Sequence, residues 1–223
     1  MTILDLPDAR IIDSQFGLQS NTVATRSPFN DNITTAQRIG SFWVGSYTIA
    51  PMKSTNTDGK AWQAFLMKMD GSSGRFYGFD PDRRAPAGTG NGTPLVDGAD
   101  QKGFLLNTKG WAAGETVLLV GDYFEVNNEL KMVVEDVIAD GSGNATITFA
   151  PELRASPPDD ESLTITSPKG IFMLSDASQV WSSDKSKVIS ITMNFREAFD
   201  YKVFLLTEEG ENLTTEADDR FIL

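Results

Sequence analysis

Apolar and polar residues alternate at period two along much of this chain, and fall at clear helical spacing in one stretch. Within residues 58–84, DGKAWQAFLMKMDGSSGRFYGFDPDRR, a helix pattern runs directly into a strand pattern. Trp62, Phe65, Leu66 and Met69 fall at i, i+3, i+4 and i+7, which places these apolar side chains on one helix face. Asp58 is the predicted N-cap, its carboxylate accepting from the open N–H groups of the first turn. A helix is thus expected over 58–69, stopped by Asp70-Gly71. Arg75 through Phe79 reads as a strand that Pro81 ends. A lone amphipathic helix among strands must press its stripe onto a sheet, so the stripe is expected to be core and to carry no chemistry.

Around it the pattern is of strands. Residues 41–49, SFWVGSYTI, put Trp43, Gly45, Tyr47 and Ile49 on one face, and Pro51 is expected to end that strand. Residues 189–195 alternate most cleanly, with Ile189, Ile191, Met193 and Phe195 against Ser190, Thr192 and Asn194. Short strands are expected at 115–120, 122–126, 130–136, 145–149 and 163–166, with Asn127-Asn128 as a tight turn. Further extended segments are expected at 171–174 and 201–206. Ile11 and Ile12 belong to another short strand. Residues 22–40 hold few large apolar groups and read equally as an arm that needs a partner or as an edge hairpin of the same unit.

Residues 85–103 are rich in Gly, Ala, Pro and Thr and mark a boundary. The expected layout is mainly β and split. Residues 1–100 and 168–223 form a β-sandwich or split-barrel hub with one packed α-helix, and 101–167 form an inserted small β-barrel or sandwich.

Composition narrows the chemistry. The 223 residues include no cysteine and no histidine. Thiol nucleophiles, Ser-His-Asp hydrolysis and His-ligated zinc are excluded as usually built. With 31 acidic against 19 basic residues the formal net charge is −12, which opposes general nucleic-acid binding. The start has no signal-peptide pattern, and no apolar run is long enough to span a membrane as a helix. The glycines at 88, 90 and 92 lack the strand, helix and Gly-Lys-Ser/Thr of a phosphate loop. The turn at 140–144 lacks the frame of an EF-hand. No cofactor and no metal is expected.

Three function classes stay open on the residues alone. Asp80 and Asp82 are the closest approach to a hydrolase carboxylate pair, though Pro81, Arg83 and Arg84 favour a salt-bridged turn. Trp111 and Trp181 are candidates for stacking on sugar rings in a carbohydrate-binding module. A structural subunit is the third class, with Arg75, Asp80, Asp82, Arg83, Arg84, Phe221 and Leu223 as candidate assembly contacts. The run of acidic residues after Thr207 reads as a solvated end.

LPDARIIDSQFGLQSNT, WQAFLMKMDGSSGRFYGFDPDRRAP and above all GDYFEVNNELKMVVEDVIADGSGNATITFAPELRASP resemble tail proteins of long, flexible-tailed bacteriophages. Within that group the chain most resembles distal tail or minor tail proteins, over about four-fifths of its length. The resemblance implies a virion protein at the tail tip and no enzyme. It implies a self-assembled ring, most often a hexamer, that joins the tail tube to the baseplate hub, fibres and other tail-tip proteins. The inserted unit would face outward. DNA would pass through an acidic lumen without specific binding.

Overall fold

The computed structural model describes residues 2–8, 10–26, 28, 31–36, 40–178 and 180–199. In chain order the elements are β1 (Ile3–Leu4), β2 (Ile11–Gln19), β3 (Val23–Arg26), β4 (Ile33–Ala36), β5 (Phe42–Lys53), α1 (Thr57–Met69) and β6 (Arg75–Gly78). Next come β7 (Gly92–Val96), β8 (Leu105–Trp111), β9 (Thr116–Leu118), β10 (Tyr123–Val126), β11 (Glu129–Val133), β12 (Val137–Ile138) and β13 (Ala145–Ala150). The last are β14 (Gly170–Leu174), β15 (Ser182–Ser183) and β16 (Val188–Glu197). The chain is mainly β with one helix among the described residues. The predicted extension at 201–206, the acidic run, Phe221 and Leu223 lie outside the described residues.

One sheet runs β1-β6-β14-β16-β5-β2, with β15 on the end of β16. A second runs β10-β11-β13-β8-β7, and β9 pairs β12 beside it. β7 therefore lies in the second sheet, although the Gly-rich composition of 85–103 reads as a linker. The change of sheet falls between β6 and β7 and not near residue 100. Segment 84–90 is also tied down: Thr89 and Gly90 donate to the carbonyls of Thr116 and Val117 at 3.1 and 2.9 Å. Backbone pairing, which composition cannot register, orders this glycine-rich stretch.

The helix seats its stripe as its spacing requires. Trp62, Phe65, Leu66 and Met69 are all buried, in one core with Tyr47, Phe76, Phe172, Ile191 and Phe195. Aromatic rings link the layers edge to face: Phe65 to Phe76 at 5.9 Å, and Phe76 to Phe195 at 5.9 Å between centroids. Gly45 lets this core close, since a Cβ there would stand 2.7 Å from Phe195 Cζ. The N-cap position is Asn56, without a side-chain cap bond, and Asp58 lies inside the first turn. Its charge favours the positive helix end from there without capping it. At the other end Asp70 adopts φ 46° and Gly71 φ 63°, and Gly74 N–H closes on Met69 O at 2.7 Å.

Pro51 does not end β5, which continues to Lys53. The pairing with β16 shifts between Ile49↔Ile191 and Met52↔Ile189, so β5 carries an extra residue there. A bulge is where a strand tolerates a proline that cannot donate to its neighbour. The segment expected as a strand at 163–166 makes only a single bridge of its own, Glu125↔Thr164, beside Leu95↔Ser162. Asn127 and Asn128 adopt φ 51° and 61°, the conformation of a type I′ hairpin turn.

Candidate functional site

The two sheets meet along β10 and β11, whose Tyr123 and Leu130 belong to the core beneath α1. Trp43 Nε1–H donates to Leu130 O at 2.8 Å. Glycine at 170 permits the approach, because a Cβ there would stand 2.9 Å from Leu130 Cβ. On the neighbouring position of β11 the apolar pattern breaks: Lys131 is fully buried. Its ammonium pairs with Glu129 Oε2 at 2.7 Å and donates to Glu152 O at 2.7 Å. Burial holds its pKa below the ordinary lysine value, and Glu129 opposes the shift.

Three carboxylates share this seam, and backbone donors occupy each of them. Glu129 accepts from Arg154 N–H at 3.0 Å and Ala155 N–H at 3.1 Å. Glu152 Oε1 accepts from Gly40 N–H at 2.7 Å, and Glu197 Oε2 from Trp43 N–H at 3.1 Å. Burial raises the Glu197 pKa above the usual carboxylate range, with Lys131 and Arg154 pulling the other way.

Arg154 completes the group. Its guanidinium stacks on the Phe199 ring at 4.3 Å, and Nη1 reaches Glu152 Oε1 at a long 3.5 Å. Its side chain is 8% exposed, and Nε and Nη2 are buried without a hydrogen-bond partner among the described residues. Arg154 lines a cavity of about 240 Å³ together with Asn127, Asn128, Glu129, Glu197 and Phe199. A second cavity, of about 470 Å³, shares Glu197 and Phe199 with the first and is also lined by Asn21, Gly40 and Arg196.

Of the described residues singled out in the sequence for chemistry or assembly, Arg75 also lines the second cavity, and the others line neither. Arg75 caps the turn after α1, its Nη1 donating to Ser72, Ser73 and Gly74 carbonyls at 2.9–3.1 Å. Asp80 Oδ1 accepts from Asp82 N–H at 3.1 Å, so the Asp80/Asp82 pair closes its own turn. Arg83 donates to Gly121 O at 2.7 Å, and Arg84 lies over the Phe79 ring at 4.4 Å. Asp80, Asp82, Arg83 and Arg84 thus staple the passage from one sheet to the other, while Arg75 serves the helix end. Trp111 is 5% exposed and donates Nε1–H to Thr108 Oγ1 at 2.8 Å, so no ring face is open to a sugar. Trp181 is half-buried against the core that holds α1.

The seam residues escaped the sequence reading because no chemical motif marks them. The available signal was the interruption at Glu129-Leu130-Lys131, where charges flank an apolar residue inside a strand.

Beyond the seam stands the ribbon β3–β4. Every described residue of both strands is exposed, including Val23 at 40% and Ile33 at 67%. An exposed Arg26–Asp31 ion pair closes its tip. The first sheet ends at β2, whose outer edge has no partner strand among the described residues. No helix among the described residues is long and apolar enough to cross a membrane.

No protein-family model matches the chain, and no curated protein matches it.

Proposed function

We propose that this chain is a structural subunit of a phage tail tip, one copy of a ring that joins the tail tube to the baseplate or fibres. The observation that carries the reading is the β3–β4 ribbon, which is exposed along its whole described length and includes Ile33 at 67%. A two-stranded ribbon is marginal on its own in water, so it gains stability where it lies against a partner. The sheet edge at β2 has backbone groups to offer such a partner. A copy that gives its ribbon and receives one satisfies both needs, and head-to-tail repetition of that contact closes a ring. The resemblance of the GDYF…LKMV…GNATITF…LR run to tail proteins supports the same reading.

The net charge of −12 suits a wall past which DNA slides without adhering. The carboxylate pair at Asp80 and Asp82 is committed to a turn, and Trp111 is buried, so neither the hydrolase nor the sugar-binding reading gains support from the geometry. Antibodies raised against the chain and imaged on intact particles test the proposal. Label is expected at the tail tip; label on the capsid, or on no particle, overturns it.

A further inference from the structure

We propose that the cavity beneath Arg154 is a receptor for a single carboxylate group carried on a partner protein. Nε and Nη2 form one edge of the guanidinium, with parallel N–H bonds that match the two oxygens of a carboxylate. Both donors are buried and unpaired among the described residues. Leaving such donors unpaired is costly, and an acceptor from outside removes that cost.

The carboxylates already at the seam make their shorter bonds to other groups, and Glu152 meets Arg154 only at Nη1, at 3.5 Å. Glu129 holds two backbone N–H groups and Lys131, Glu152 holds Gly40 N–H, and Glu197 holds Trp43 N–H. None of them makes a hydrogen bond to the free edge. The volume of about 240 Å³ suits one side chain or a chain terminus, with Asn127 and Asn128 offering amides at the wall. Lys131 and Arg154 face Glu129, Glu152 and Glu197, so a dianion such as phosphate meets more repulsion than a carboxylate does. Because both donor atoms are closed off from solvent, binding requires the guanidinium edge to turn toward the cavity that Arg154 lines.

The inference stands apart from the tail-tip reading, because the isolated chain already holds the site. The test is a titration of ¹⁵N-labelled full-length protein, following the Nε–Hε signal of Arg154. Propionate, propionamide and inorganic phosphate are compared at matched ionic strength. Arg154→Lys assigns the signal and removes the fork while keeping the charge. Propionate is expected to move the signal downfield with saturation, and to do so at least tenfold more effectively than either other probe. No saturable shift with propionate overturns the proposal. An equal response to phosphate means an adventitious ion only, and an equal response to propionamide means that charge plays no part; either result also overturns it. Should Arg154→Lys fail to fold, the wild-type comparison of the three probes decides alone.

Discussion

Trp62, in the helix stripe, has a buried indole N–H with no hydrogen-bond partner among the described residues. Its ring fills the core, while its buried indole N–H adds a desolvation cost. Trp62→Phe is therefore expected to change unfolding free energy by less than about 1 kcal/mol, since lost volume and a removed unpaired donor offset one another. Leu66→Ala, on the same face, is expected to lose about 2–5 kcal/mol. Urea denaturation of both variants measures the contrast. Glu197 makes a prediction in pH. Burial raises its folded-state pKa, so the folded protein binds more protons than the unfolded one between the ordinary carboxylate value and the raised one. Stability must then fall as pH rises through that window. Glu197→Gln keeps an oxygen for Trp43 N–H and should flatten the slope; Glu125, also raised by burial, supplies the part that remains. Denaturation midpoints taken across mildly acid to neutral pH check it. An unchanged slope in the variant removes Glu197 from the account.

At the scale of elements, the ribbon β3–β4 and the helix α1 behave oppositely. The helix is held by its buried stripe, whereas the ribbon has no described residue in the core. Excising residues 23–36 behind a short Gly-Ser link should leave the urea midpoint of the monomer unchanged within error and abolish self-association. A large drop in midpoint would show that the ribbon belongs to the fold. Element type was readable wherever one face is buried, as in α1 and β16, because burial writes its period into the residues. Reading failed where backbone pairing decides. β7 hides in a glycine-rich run, and β5 carries Pro51 at a bulge. It failed again at the seam, because Lys131, Glu152, Arg154 and Glu197 are brought together by the contact of the two sheets and not by spacing. Between arm and edge hairpin for residues 22–40, apolar content alone has no means to choose.

On the scale of the whole molecule, two sheets are joined through a charged seam, and the chain passes between them at 79–91 and again at 167–169. Arg83 to Gly121 O, Ser167 N–H to Arg84 O at 2.6 Å and Lys169 N–H to Glu125 at 3.1 Å fasten those crossings. Among the described residues, the exposed ribbon and the unpaired outer edge of β2 are what the account pairs with one another. Sedimentation equilibrium of the full chain, over a wide range of concentration and beside the 23–36 excision, tests the central claim most directly. Head-to-tail donation of ribbons around a ring predicts one closed species at a fixed whole multiple of 24.3 kDa, and a monomer after excision. A full-length chain that stays monomeric at every concentration, or an excised chain that assembles as well as the intact one, would contradict it.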